Sequence, residues 1–353
     1  MPVASFVLGF LIVAAAIHAL LTHPLELYAE YRSEKLAMLD AMPTDFEFAA
    51  FGTSHVHNGF DPRAFDKRID ASAPGAKSVN LGIEGGSQTE QTVLAQRYLQ
   101  RIAADPAPPQ PDERAHVLLL EANAGVNFQA RFLNHPRTIN LYDTDAARLA
   151  FGFGNPRTEP LHYAARSAYA LIACGLHYLN VGMLSNLVFR PALDRTIFDE
   201  ETQADRRGLM SGAETAGHTD TDAVREAVAD RPASAREEAV TETAGLQRVA
   251  QVLEASAGSK DVAIAFFVTP KLADTVTRYR YPARLEVAGG CVPIVDVANP
   301  ALHPELYEPR YWNDLEHLNE AGAAVYSALL ARRLSELDLP ETRNHCKALD
   351  AVR

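Results

Sequence analysis

The chain has 353 residues, is 47% apolar and carries a formal net charge of -12 at pH 7. Length and apolar content fit one large α/β domain or two smaller ones and exclude disorder of the whole chain. The charge argues against nucleic acid as a partner, because such binding rests on clustered Lys and Arg that displace counterions. An anionic glycan would also be repelled at long range unless arginines such as Arg278 and Arg280 line its groove.

The first predicted element is the apolar run from Val3 to Leu21, which holds no Asp, Glu, Lys or Arg. It approaches the roughly 20 residues that cross a bilayer as a helix. A signal peptide is the competing assignment, since Ala14-Ala15-Ala16 resembles a cleavage site, but no basic residue precedes the run. Residues 1–22 are therefore expected to be a single-pass anchor, with the remainder exported to the periplasmic side of an inner membrane. Residues 23–45, which include "LELYAEYRSEKLAML", read as a membrane-proximal amphipathic helix.

A repeated alternation follows. Phe46 to Phe51 predicts a strand that stops at Gly52-Thr53-Ser54, and "AKSVNLGI" predicts a second that ends near Gly85-Gly86. Glu90 to Ile102 reads as a helix, and "AHVLLLEAN" as a strand whose continuous apolar run suits burial on both faces of a parallel sheet. The strand "DVAIAFFVTP" is of the same kind and is preceded by the helix "TAGLQRVAQVLEASAG". "CVPIVDVAN" is a fifth strand, before a last helix from Glu320 to Leu337 with Asn319 as its N-cap. Residues 130–240 interrupt this order. Within them, the charge-free stretch Ala168 to Phe189 reads as a core or lid helix, with a helix lying on the membrane as the alternative. Residues 199–240 read as a polar, mobile surface excursion, and 341–353 as a tail.

Strands alternating with helices predict a doubly wound parallel sheet in a three-layer α/β/α arrangement over residues 46–340. Ligand sites in such sheets lie beyond the carboxyl ends of the strands, where Ser54 falls. The three cysteines, Cys174, Cys291 and Cys346, have no metal-ligand spacing, and the sequence does not say which pair would form a disulfide. No metal or other cofactor is expected.

A serine hydroxyl becomes a nucleophile only with a base in hydrogen-bond reach that a third group orients. His55 and His57 are sequence neighbours of Ser54 on what reads as an extended turn, and need not face back toward it. Asp314-Leu315-Glu316-His317, just before the last helix, offers a carboxylate to take the imidazole Nδ1–H and leaves Nε2 for the serine proton. Each residue has a plainer assignment: Ser54 as a helix cap, Asp314 as a turn residue, His317 as a surface histidine. His55 and His57 could also form a metal pair on an extended chain, with Asp296 as a companion, although that reading lacks further ligands. Trp312 beside the Asp-His pair could stack on a sugar or pack beneath the loop, and Arg278 and Arg280 could rim the groove or lie in a solvated loop.

Three blocks in order, "FGTSH", "NLGIEGG" and "DLEHLNEAG", resemble those of the SGNH/GDSL hydrolase superfamily. The resemblance runs from about residue 46 to 337 apart from the 130–240 interruption, and is nearest to the membrane-anchored extracytoplasmic branch that includes alginate O-acetyltransferases and the teichoic acid D-alanine transfer protein. It implies a flavodoxin-like fold with Ser54 as nucleophile, His317 as base and Asp314 as its orienting partner. Backbone N–H groups of Ser54 and Gly85 would form the oxyanion hole. The third block, usually G-x-N-D, departs to "LLLEANAGVN", leaving Asn123 as a shifted side-chain donor. His55, His57, Trp312, Arg278 and Arg280 are the substrate-contacting candidates.

The expected function is an extracytoplasmic serine acyltransferase or esterase that acts on a cell-envelope or secreted polysaccharide. The resemblance adds a multi-spanning membrane O-acyltransferase as partner. The alternative is a catalytically silent glycan-binding or scaffold component that retains the fold.

Overall fold

The structure, a computed structural model, describes residues 46–71, 73–104, 116–122, 143–152, 160–179, 221–229, 236–240, 243–257, 262–272, 277–287 and 290–337, with isolated positions between 5 and 39 and at 157, 207 and 209. Two compact units divide the chain. One comprises Met38–Val126 and Asp199–Arg353, the other Met1–Ala37 and Asn127–Phe198.

The first unit carries a six-stranded sheet in the order β2-β1-β3-β5-β8-β7. Its strands are β1 (Phe48–Phe51), β2 (Ser78–Asn80), β3 (His116–Glu121), β5 (Val262–Val268), β7 (Arg284–Val287) and β8 (Gly290–Asp296). Every neighbouring pair from β2 to β8 is parallel, and β7 closes the edge antiparallel to β8. β1, β3 and β5 are buried along their whole length, so their uninterrupted apolar runs place a side chain against a helix on each face. Helix α1 (Ser54–Gly59) follows β1, then α2 (Pro62–Ile69), with α3 (Gln88–Ala104) after β2. Alternation along β1 shows the two faces, since Phe48 meets Phe65 of α2 at 5.2 Å while Phe51 meets Tyr98 of α3 at 5.9 Å. From β1 the chain goes to β2 on one side and to β3 on the other. That reversal leaves a crevice between the carboxyl ends of β1 and β3, and Ser54 and Glu121 flank it.

The described parts of residues 199–240 differ from the polar, mobile excursion expected of that span. Helix α6 (Thr221–Ala229) carries apolar residues at helical spacing, and Val224 is buried in the core with Ala227 and Val228 packed against it. An average over that polar window hides the period. Strand β4 (Arg236–Ala239) pairs in parallel with β6 (Thr277–Arg280) in a separate two-stranded sheet, so the tract expected as a rim loop is a strand. Helix α7 (Ala244–Ala257) packs on α3, and α8 (Glu320–Ser335) on α2. Asn319 caps α8 as predicted, accepting the Gly322 N–H at 3.0 Å.

In the second unit α4 (Thr144–Gly152) packs on α5 (Pro160–Leu179). Asp143 caps α4 through the Ala146 N–H at 2.8 Å, and Thr144 and Tyr178 share a hydroxyl hydrogen bond of 2.6 Å. α5 buries Tyr169, Ala170 and Ala173 but exposes Leu161, Leu171 and Ile172, so the core or lid helix expected over Ala168 to Phe189 is buried on one side only, and 180–189 lie outside the described residues. Most of the Val3–Leu21 run lies outside the described residues, as do most of 23–45 and all of 341–353. The described positions of the run are helical, with Phe6, Leu8, Phe10, Ile12 and Val13 exposed. Among the described residues no helix is long and apolar enough to cross a membrane. Cys291 is disulfide-bonded and Cys174 is free.

Candidate active site

The serine is presented by a turn that needs glycine at its base. A Cβ on Gly52 would lie 2.0 Å from the Val56 side chain and 2.9 Å from Glu121 Oε2, so no larger residue lets the end of β1 approach β3 this closely. Thr53 then donates its N–H to Glu121 Oε2 at 2.7 Å and caps α1, accepting the His55 N–H on its hydroxyl at 3.3 Å. The cap is therefore Thr53 and not Ser54. Ser54 becomes the first helical residue, and its hydroxyl is left for another partner.

That partner arrives from the other end of the chain. Trp312 and Leu318 form an antiparallel bridge, and Asn313 N–H donates to His317 O at 2.9 Å, which pinches the intervening residues into a tight loop. Asp314 Oδ1 accepts the N–H groups of Glu316 and His317, both at 2.7 Å, and so fixes its own carboxylate at the loop's centre. His317 Nδ1 lies 2.9 Å from Asp314 Oδ2, and its Nε2 lies 2.9 Å from Ser54 Oγ. An ionised carboxylate only accepts, so the Nδ1 proton points to Asp314 and the bare Nε2 faces the serine. Burial opposes ionisation of Asp314, yet its bonds to His317 and to the Glu316 N–H hold its carboxyl below the ordinary range.

The turn after β2 closes the third side. Leu81 N–H donates to Ala50 O at 2.7 Å and Ile83 N–H to Gly52 O at 2.9 Å, lashing this turn to the serine turn. Gly86 N–H returns to Ile83 O at 2.8 Å, and Gly85 between them takes a φ of 59°, which favours glycine. Asn80 is fully buried and ties the turn to α1, donating to Val56 O at 2.7 Å and Phe60 O at 2.8 Å while accepting the Gly82 N–H at 2.9 Å. Asn123 lies outside the described residues.

Of the predicted site residues, Ser54, His317 and Asp314 come together, and Gly85 lies on the turn lashed to them. Two substrate-contacting candidates, His57 and Trp312, are corrected. The extended turn expected at residues 54–57 is helical, so His55 and His57 diverge and cannot form the metal pair considered for them. His57 is buried, with Nδ1 3.1 Å from Gly82 O beneath the site. Trp312 is also buried, donating Nε1–H to Leu306 O at 2.9 Å and packing on Tyr307, so it supports the loop from below. Arg280 is exposed on β6, whose next residue Tyr281 donates its hydroxyl to Ala122 O at 3.1 Å at the end of β3, and the side chain of Arg278 lies outside the described residues. Asp296 accepts the Ala298 N–H at 3.0 Å. Among the described residues no group of three or more His, Cys, Asp or Glu could hold a metal ion.

Sequence reasoning overlooked Glu121. Its carboxylate is fully buried, and burial alone would raise its pKa. Hydrogen bonds from His55, the Thr269 hydroxyl at 2.7 Å and the Thr53 N–H outweigh that and lower it to about 2. The available signal was a lone acid ending an otherwise apolar strand buried on both faces. In comparisons with known proteins, no family model, curated protein or solved structure matches the chain. The geometry alone defines a serine with an oriented base at the switch point of a parallel sheet. Such a site can perform acyl transfer through a covalent serine ester.

Proposed function

We propose that this protein is a serine acyltransferase or esterase of SGNH type that works on an extracytoplasmic polysaccharide. The observation that carries the proposal is the continuous Asp314–His317–Ser54 hydrogen-bond chain, with 2.9 Å between His317 Nε2 and Ser54 Oγ. His317 takes the serine proton as Oγ attacks the carbonyl carbon of an acyl donor. The tetrahedral oxyanion rests on the N–H groups of Ser54 and Gly85. Collapse expels the donor alcohol, which leaves with the proton from His317. A sugar hydroxyl then attacks the acyl-serine as His317 takes its proton, and collapse breaks the acyl–Oγ bond, with His317 returning the proton to Ser54; water in place of the sugar gives an esterase. With β2-β1-β3-β5-β8 counted in order of appearance, the parallel strands run 2-1-3-4-5, the flavodoxin-like order, which supports the SGNH assignment.

The membrane setting is part of the same proposal. It is supported by the charge-free run Val3–Leu21, by the exposed apolar residues of the second unit, and by the disulfide at Cys291, a bond that persists in oxidising compartments. A multi-spanning membrane O-acyltransferase is the partner that the sequence resemblance adds. The test is intact mass spectrometry of the detergent-solubilised full chain after brief exposure to p-nitrophenyl acetate, beside Ser54→Ala and His317→Ala. An acetyl adduct on Ser54, absent from both variants, is expected. Folded wild-type protein that forms no adduct and no fluorophosphonate conjugate would overturn the proposal in favour of a silent glycan-binding scaffold.

A further inference from the structure

The triad is assembled from loops 263 residues apart, so its precision depends on whatever holds the terminal loop against the serine turn. His55 lies across that join. Its Nδ1 is 2.8 Å from Thr53 Oγ1 and 3.5 Å from Glu121 Oε1 on the serine side, while its Nε2 is 3.3 Å from Glu316 Oε2 on the loop. Its ring stacks on that of His317, with centroids 5.3 Å apart and planes 20° from parallel. The base therefore has a flat partner against one face, in addition to Asp314 at one edge and Ser54 at the other.

A neutral imidazole has one N–H and can donate to one of its two carboxylate neighbours only. The Thr53 hydroxyl could turn to donate to a bare Nδ1, but the fully buried Glu121 would then face a lone pair without a counter-charge, an arrangement that burial penalises. An imidazolium donates on both sides at once. We infer that His55 is a positioning residue: as a doubly protonated bridge between Glu121 and Glu316, it clamps the terminal loop to the serine turn and holds the His317 ring in line with Ser54. The inference rests on the assignment of Ser54 and His317 as nucleophile and base. The charged groups that bear on this ring are Glu121 from β3, Glu316 from the loop, and Lys271 from the segment after β5, with His317 stacked against it. Burial and Lys271 disfavour the cation, but the two carboxylates outweigh them and raise His55 above its ordinary value of 6.5. The bridge is thus lost as pH rises through the raised value, and the raised value extends it above the range of an ordinary imidazolium.

The experiment measures the rate of Ser54 acylation against pH in the solubilised full chain for wild type, His55→Phe, His55→Gln and Glu316→Gln. Amide hydrogen exchange at Glu316 and His317 is followed in parallel. His55→Phe retains a flat ring without the bridge and should slow acylation by roughly 10- to 100-fold, as a small misplacement of the base does. It should also abolish the alkaline fall in rate that wild type shows as His55 deprotonates, and speed exchange at both loop amides. Glu316→Gln should move that alkaline fall to lower pH. Folded His55→Phe and His55→Gln proteins with wild-type rate, alkaline limb and exchange would overturn the inference. A wild type that never acylates would instead overturn the proposed function. Exchange in the His55 variants would then still judge the clamp: faster exchange supports it, and wild-type exchange overturns it.

Discussion

The two units treat apolar surface in opposite ways. The sheet-bearing unit buries its apolar strands on both faces and neutralises even the charge it hides, surrounding Glu121 with His55, Thr269 and the Thr53 N–H. The other unit displays what a soluble surface normally limits. Of the twelve large apolar residues exposed among the described positions, nine (Phe6, Leu8, Phe10, Ile12, Val13, Leu161, Leu171, Ile172 and Tyr178) belong to it. On α5, Leu161, Ala165, Ala168, Ile172 and Gly175 recur at helical spacing on the exposed side, with no charge among them. In the membrane setting proposed above, that stripe is the face that would meet the bilayer. The proposed chemistry thus falls in the unit whose central strands are buried on both faces, and most of the exposed large apolar residues fall in the unit that carries the apolar N-terminal run.

Each variant that follows strains one side of that contrast, and the largest effect is chemical. Ser54→Ala or His317→Ala should lower the acylation rate by about 1,000-fold or more, read by the burst of p-nitrophenol, with little change in thermal midpoint. A large loss of stability in either would mean that the pair serves packing first. Next is Gly52→Ala, whose Cβ would overlap Val56 and crowd Glu121. It should cost about 1–3 kcal/mol or more in urea unfolding and slow acylation as well, because the turn that presents Ser54 must shift.

Glu121→Gln tests the buried charge through pH. The folded pKa is depressed from 4.5 to about 2, so its stabilisation is present above the unfolded value and is lost as pH falls from about 4.5 toward 2. Wild type should show a falling thermal midpoint across that window, and the variant a flatter one; equal slopes would remove Glu121 from the account. The smallest effect is at the exposed face. Leu171→Gln with Ile172→Gln should change unfolding stability by less than about 0.5 kcal/mol. The same pair should weaken partition of the full chain onto lipid vesicles by about tenfold, given the apolar area removed. Unfolding of that variant would show the face to be core, and the contrast between the units would fail.

The five parallel strands of the first unit and the helices α3, α7 and α8 were legible because their signals are local. Continuous apolar runs mark β1, β3 and β5, and Asn319 announces the last helix. The Asp314–His317 pair was legible too, since a three-residue spacing lets one carboxylate accept both backbone N–H and ring N–H within a single loop. Other features were not. Thr53 rather than Ser54 caps α1, a difference of one residue that depends on where β1 ends against Glu121. α6 was lost inside a polar average, and for Trp312 the sequence left sugar stacking and packing beneath the loop both open, between which burial decides for packing.

By itself, the sequence determined the five parallel strands, the helices α3, α7 and α8 and the residue types of a serine site, because periodicity, caps and short-range hydrogen bonding act over a few residues. Tertiary structure alone decided which side chains meet. The carboxyl ends of β1 and β3 had to be adjacent before Glu121 could reach the Thr53 N–H, and α1 had to wind before His55 and His57 could part. The contact between His55 and Glu316 spans 261 residues. No local pattern encodes such a separation; the register of the folded sheet and the loop it carries set it.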